Sequence, residues 1–158
     1  MEFDVNKAIT YFQDVLSRHY ADFNGRVTRK DFWNYAGVVF GVFVAAAILD
    51  YIVGLAIGNL VMLALLLPNA GMMARRIQDS GNPGSIVWLL MIPALLASLV
   101  RFLFGITFGL FGLILFFLPW LWVIDIVALA AFIYVVYLCV QPGAAGANQY
   151  GPEPASAV

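Results

Sequence analysis

Residues 32–49 read FWNYAGVVFGVFVAAAIL, a run of 18 residues without one charged side chain. An α-helix rises about 1.5 Å per residue, so this run bridges roughly 27 Å, close to the hydrocarbon thickness of a bilayer. A second charge-free run covers residues 51–74, directly after Asp50, and ends at Arg75. The two runs predict a hairpin of membrane-spanning helices.

The composition of the whole chain extends this prediction. The chain has 158 residues, of which 63% are hydrophobic and 11% are charged, whereas about 25% are charged in a typical soluble domain. So short a chain has too little interior to bury its apolar surface, which must therefore face lipid. The net charge of −1 and the scattered basic residues suggest no nucleic-acid partner. We predict an all-α, polytopic membrane protein.

Residues 86–140 are almost wholly apolar and contain Arg101 and Asp125 as their charged side chains. This length fits two spans with a hydrophobic connection, or three spans with almost no loops. We favour two, because a further span between Asp125 and Gln141 would be too short to cross comfortably. Residues 102–118 are then an outer or re-entrant turn, with an additional span as the open alternative. The four predicted spans lie at about residues 32–50, 52–74, 86–107 and 118–140.

The two ends of the chain differ from this membrane bundle (residues 25–141). Within residues 1–24, apolar side chains recur at helical spacing between charged ones, which predicts an amphipathic helix ending near Asn24. Such a helix lies flat on the bilayer surface or packs against its own bundle, and the pattern leaves both open. Residues 142–158 are rich in Gly, Pro and Ala and predict an extended tail.

The distribution of basic residues predicts the orientation. Short cytoplasmic loops of membrane proteins carry an excess of Lys and Arg. In the four-span topology Arg101 lies towards one side, and seven basic residues lie on the other: Lys7, Arg18, Arg26, Arg29, Lys30, Arg75 and Arg76. We therefore expect the N-terminus, the turn after Arg76 and the tail to be cytoplasmic.

Three segments carry a family resemblance. Residues 23–33 read FNGRVTRKDFW, residues 75–81 read RRIQDSG, and residues 142–154 read PGAAGANQYGPEP. In order and spacing they resemble the YhaH/YhaI-like family of bacterial inner-membrane proteins, a domain of unknown function (DUF805). Gln78 departs from the pattern, since the family usually has histidine there. The resemblance implies a helical inner-membrane protein and supplies no activity.

One set of polar residues is predicted to meet at the cytoplasmic end of the hairpin. We call it the basic cluster, and its members are Arg26, Arg29, Lys30, Asp31, Arg75, Arg76 and Asp79. Guanidinium groups bind phosphate in bidentate fashion, so the set fits the headgroups of membrane phospholipids, preferably anionic ones. In the alternative interpretation the basic residues only set the topology and pair with the aspartates.

A second set is predicted inside the membrane. Counted along the predicted helices, Asp50, Arg101 and Asp125 share a level in the outer half of the bundle. A charge at that depth is costly unless it is paired, so this intramembrane cluster is either a structural ion pair or a proton or ion relay. The structural interpretation is the one we favour.

The sequence lacks the residues that common active sites need. With one cysteine, Cys139, and one histidine, His19, the chain offers no intramolecular disulfide and no Cys/His zinc site. It also has no phosphate-binding loop and no nucleophile elbow. We therefore expect no enzyme, metal or cofactor.

We predict a non-catalytic interaction protein, either an accessory subunit of a larger membrane complex or a binder of anionic lipid. The alternative is a small transporter or channel component that uses the intramembrane cluster.

Overall fold

The computed structural model of the protein describes residues 5–53, 57–93, 95–96 and 119–155. Throughout these ranges the regular structure is helical, without a strand. The α-helices with assigned bounds are α1 (Val5–Arg18), α2 (Arg29–Val53), α3 (Ile57–Asp79) and α4 (Pro119–Val140). A 3-10 turn, Gly84–Ile86, leads into helical residues 87–93. The chain forms two compact units, residues 1–84 with 141–158, and residues 85–140.

Three helices of the described ranges are long and apolar enough to cross a membrane. They cover Arg29–Val53, Leu60–Asp79 and Trp122–Val140, where the first, second and fourth spans were predicted. The third predicted span is described in part, as Ile86 at the end of the 3-10 turn and the helical residues 87–93 and 95–96. Arg101 and the connection at residues 102–118 lie outside the described residues. An all-helical fold with three candidate membrane-spanning helices is thus confirmed, and the third predicted span stays a prediction.

The surface of α2 is apolar and largely uncovered by protein. Phe40 is 71% exposed, Tyr51 92% and Ile52 71%. A helix that is hydrophobic all round needs an apolar environment on every side. Because the described residues cover little of this surface, it suits contact with lipid or another protein.

The helix α1 packs on α2 and is shorter than the predicted amphipathic helix. Its side chains Ala8 and Val15 are completely buried, and the ring centroid of Phe12 lies 5.7 Å from that of Tyr35. The helix ends at Arg18 instead of continuing to residue 23. The following residues leave the helix because they bond to α3 instead.

The segment after α1 runs along α3 towards the C-terminal end of that helix. The hydroxyl of Tyr20 donates to the carbonyl of Ala64, and the N–H of Val27 donates to the carbonyl of Arg75. Between these points the Asp22 carbonyl approaches Gly71 so closely that a Cβ there would lie 2.7 Å from its oxygen. A glycine is therefore required at position 71, and the C-terminal half of α3 is buried.

The first turn of α2 is capped. The N–H of Asp31 donates to the Thr28 hydroxyl over 3.1 Å, and that hydroxyl donates to the Asp31 carboxylate over 2.8 Å. Threonine is a favoured N-cap because its oxygen accepts from an N–H that the helix leaves unpaired. Asp31, a member of the basic cluster, is thus buried as part of a helix cap.

Candidate functional site

The centre of the site is Asp79, the last residue of α3. Its carboxylate accepts hydrogen bonds from the Arg26 Nε over 3.0 Å and from the Arg76 Nη1. All three side chains are buried, and that of Arg26 is 1% exposed. A buried carboxylate between two guanidinium groups is fully paired, which offsets the cost of removing the charges from water. We call these three residues the clasp.

The clasp arginines also hold the tail that follows α4. Arg26 donates through Nη1 to the Gly146 carbonyl and through Nη2 to the Ala144 carbonyl, each over 2.5 Å. Arg76 donates through Nη2 to the Gln141 carbonyl. A planar guanidinium with five N–H groups suits such simultaneous bonds, because its donors point in fixed directions. The clasp thus fixes the backbone of a segment that has no helix or strand of its own.

The tail is shaped to fit the clasp. A Cβ on Gly143 would overlap the Asp79 carboxylate, and the backbone N–H of Ala144 donates to the Asp79 carbonyl over 2.7 Å. Gly146 and Gly151 have φ of 72° and 135°, where glycine is favoured. Asn148 accepts from the Tyr150 N–H and donates to the carbonyl of Gln78. The Gly and Asn positions of the third motif are therefore structural requirements of this docked tail.

Arg75 has a different environment from its neighbour Arg76. Its Nη1 lies 3.7 Å from the Asp22 carboxylate, and its Nη2 donates to the sulfur of Met72. Its buried Nε has no hydrogen-bond partner among the described residues. Arg75 therefore joins α3 to the segment after α1 and takes no part in the clasp.

The surroundings of Arg75 perturb two titrating groups. Burial disfavours the charged form of Asp22, but bonds from the Asn24 N–H and the His19 ring, together with the charge of Arg75, outweigh it. The pKa of Asp22 consequently lies below its usual value of 3.8. Burial raises the pKa of Tyr11 to about 12, although the charge of Arg75 acts in the opposite direction. At neutral pH Asp22 is thus a carboxylate and Tyr11 a neutral phenol.

An open cavity of about 280 Å³ lies between the start of α2 and the tail. The charged residues that line it are Arg26, Arg29, Asp79 and Glu153. Two cations and two carboxylates balance, and Arg26 is already occupied by Asp79 and the tail carbonyls. Arg29 is the exposed cation of this set. The cavity therefore lacks the excess positive charge typical of a site for a multiply charged anion.

Of the predicted intramembrane cluster, Asp50 has a defined partner. Its carboxylate accepts from the N–H groups of Ile57 and Gly58, the latter over 2.8 Å. These are the first residues of α3, so Asp50 caps that helix and favourably faces the positive end of its dipole. Arg101 lies outside the described residues, and Asp125 lies in the other compact unit, on α4. The grouping of these three residues stays a prediction.

Reasoning from the sequence missed several partners in the site. The basic cluster separates into the clasp, a helix cap at Asp31, a buried Arg75 and the partly or fully exposed Lys30 and Arg29. The missed partners of the clasp are backbone carbonyls. Every residue type has one, so the amino-acid sequence does not show which carbonyls bind the arginines. The spacing of glycine and asparagine in residues 143–151 could have predicted an ordered turn, because these residue types favour turns.

Two further findings concern metal ligands and the relation of the chain to known proteins. No group of three His, Cys, Asp or Glu side chains able to hold a metal ion occurs in the described ranges. No curated protein and no solved structure matches the chain. Residues 20–152 match the family described as "Protein of unknown function (DUF805)". The match includes the first two motifs, the third motif as far as Pro152, and every residue of the clasp. Because the match spans most of its 158 residues, the chain belongs to the DUF805 family.

Proposed function

We propose that this protein is a non-catalytic interaction protein of the bacterial inner membrane, an accessory subunit whose tail binds a protein partner. The observation that supports this proposal is the clasp, which holds the tail through four backbone carbonyls, those of Gln141, Ala144, Gly146 and Gly151. The orientation we propose places both chain ends in the cytoplasm, in accord with the distribution of basic residues.

Ordering the tail costs conformational entropy, and some other interaction or function must offset this cost. Fixing the backbone of one residue costs roughly 1–2 kcal/mol in conformational entropy, and residues 141–155 lack helix and strand. A membrane bundle can stay in its bilayer without an ordered tail. Irregular segments held by a rigid scaffold commonly carry binding residues. A fixed tail is therefore better explained by a partner that recognises its shape.

The character of the tail surface favours protein over lipid headgroups as the partner. Its exposed residues are mostly small or uncharged: Pro142, Gly143, Ala145, Gly146, Ala147, Gln149, Pro152 and Ala155. The exposed charge is the acidic Glu153, which an anionic membrane surface would repel. Arg26 and Arg76, the residues best suited to bind phosphate, are occupied within the clasp. Within the basic cluster, contact with anionic lipid is left to Arg29, at the rim of the cavity, and to the partly exposed Lys30.

The environment of Asp50 bears on the transporter alternative. A carboxylate in a relay passes protons to neighbouring groups, whereas both carboxylate oxygens of Asp50 accept from backbone N–H groups at the start of α3. This arrangement supports a structural role for Asp50 and hence the interaction protein over the transporter.

The test is a photo-crosslinking amino acid at position 149 of the full-length protein, activated in native membranes. Gln149 is exposed on the tail, and we expect one discrete protein adduct there. The matched control places the same crosslinker at Tyr51, which is exposed on α2. The adduct must disappear in an Arg26→Lys background, which weakens the clasp and keeps the charge. Lipid adducts alone at position 149, or a protein adduct that Arg26→Lys leaves unchanged, would contradict the proposal.

A further inference from the structure

The helix α1 has a broader apolar side than the protein covers. Ala8 and Val15 are completely buried, whereas Val5 is 55% exposed and Ile9 40%. At 3.6 residues per turn, Val5 and Ile9 lie roughly a quarter turn around the helix from the buried pair. One edge of the apolar side thus packs on protein, and the described part of the chain leaves the neighbouring edge, formed by Val5 and Ile9, uncovered. We call the second one the free edge.

Two contacts define the height of α1 along the hairpin. Phe12 packs on Tyr35, whose hydroxyl donates to the Asn69 side chain over 2.8 Å. The helix therefore crosses the hairpin near Tyr35 of α2 and Asn69 of α3. From Tyr35 to Val53, the end of α2, the helix continues for 18 residues or roughly 27 Å. Since the hydrocarbon core is about 30 Å thick, α1 lies near its boundary.

The exposed surface of α3 changes character at the same height. Leu60, Leu63 and Leu67 are exposed, whereas residues 70–79 are almost all buried. Tyr20, just beyond α1, reaches Ala64 between these leucines. The segment that follows α1 therefore meets the exposed apolar surface of the hairpin.

From this geometry we propose that α1 is half immersed in the bilayer. Its free edge enters the acyl chains of the adjacent leaflet, while the Ala8–Val15 edge stays on α2. The occupant of the free edge is thus the lipid bilayer itself. The uncovered apolar surfaces of α1, α2 and α3 then share one continuous environment, and the polar side of α1, with Lys7 and Thr10, faces water.

The charges of α1 indicate which force holds it there. Its charged residues are Lys7, Asp14 and Arg18, and Arg18 pairs with Asp14 over 3.4 Å. So weak an excess of positive charge attracts an anionic membrane little, since that attraction grows with the number of basic residues near the surface. Immersion consequently depends on apolar contact and is insensitive to the charge of the lipid. It is also independent of any partner of the tail.

The experiment uses the full-length protein, with Cys139→Ala, in phosphatidylcholine vesicles. A nitroxide label is attached at Ile9→Cys and, as the matched control, at its neighbour Thr10→Cys. Collision rates with oxygen, which concentrates in lipid, and with a water-soluble nickel chelate are measured by electron paramagnetic resonance. We expect oxygen to dominate at position 9 and nickel to dominate at position 10, with the same result when phosphatidylglycerol is added.

Three outcomes would overturn the proposal. Access of nickel to position 9 would place the free edge in water, and protection from both reagents would place it under protein. Immersion that appears only with phosphatidylglycerol would make charge the cause. If Cys139→Ala prevents folding, a photo-crosslinker at Ile9 in the unaltered background replaces the label. Lipid adducts at position 9 and their absence at position 10 are then expected, and adducts at neither position reject the proposal.

Discussion

The hydroxyl of Tyr20 donates a 2.6 Å hydrogen bond to the carbonyl of Ala64, the carbonyl that Pro68 leaves without its helical donor. Proline has no backbone N–H, so the residue four positions before it loses a hydrogen bond. In a membrane-spanning helix water cannot replace that bond, and the unpaired group costs several kcal/mol. The Tyr20 hydroxyl therefore supplies the missing hydrogen bond to the Ala64 carbonyl. The same bond attaches the segment after α1 to α3.

Tyr20→Phe should destabilise the protein by roughly 1–3 kcal/mol, because it leaves a carbonyl unpaired. In a Pro68→Ala background the helix regains its own donor, and the same change should cost little. The measurement is a double-mutant cycle on unfolding by denaturing detergent in mixed micelles. Costs that add without coupling would show that Tyr20 does not serve the Pro68 carbonyl.

Arg26→Lys should release the tail although it keeps the positive charge. A lysine ammonium is a compact donor on a flexible stem and cannot reach Asp79 and two tail carbonyls together. We expect hydrogen exchange at residues 141–155 to accelerate at least about tenfold, equivalent to about 1.4 kcal/mol. Arg18→Lys, at a mostly exposed side chain, is the matched control and should leave tail exchange unchanged. Equal exchange in the two variants would refute the role of Arg26.

Gly143→Ala should displace the tail for a steric reason. The added methyl group would overlap the Asp79 carboxylate, which two arginines hold in place. Overpacking of this kind costs about 1–3 kcal/mol. We therefore expect hydrogen exchange in the tail of the variant to be faster, while exchange in the membrane helices is unchanged. Gly41→Ala is the control, because nothing lies within 4 Å of its added methyl group. That variant should be neutral or slightly stabilising, since alanine favours helix over glycine.

Asp50→Ala should cost about 0.5–2 kcal/mol, the usual effect of losing a helix N-cap. Asp50→Asn keeps an acceptor oxygen and should cost clearly less, although it removes the charge. Thermal unfolding in detergent micelles measures both, and Asp125→Asn tests the other carboxylate of the predicted cluster. If Asp50→Asn is as costly as Asp50→Ala, charge matters more than capping, and the intramembrane cluster regains support.

Acid should loosen the contact between Asp22 and Arg75. The pKa of Asp22 is lower in the folded protein than its usual 3.8, so its contribution to stability is fully present above that value. The contribution is lost as the pH falls through the lower, folded pKa. We expect Asp22→Asn to flatten the decline of stability below about pH 4. The check is unfolding by denaturing detergent at a series of pH values, and parallel pH profiles would contradict the assignment.

Several features could be predicted from local patterns alone. The charge-free runs of residues 32–49 and 51–74 are long enough to span a bilayer, and their lengths follow from helical rise and membrane thickness. They locate the ends of α2 to within four residues and those of α3 to within six. The motifs at residues 23–33, 75–81 and 142–154 indicated the family for the same reason, since each is contiguous in the chain.

The partners of the polar residues were decided only by the tertiary structure. Arg75 and Arg76 are adjacent in sequence, yet they point about 100° apart around α3 and meet Asp22 and Asp79 respectively. Arg26 finds Asp79 at a separation of 53 residues and Gly146 at 120. Hydropathy is a local property and survives in the sequence, whereas a hydrogen bond depends on which distant atoms the folded chain brings within about 3 Å.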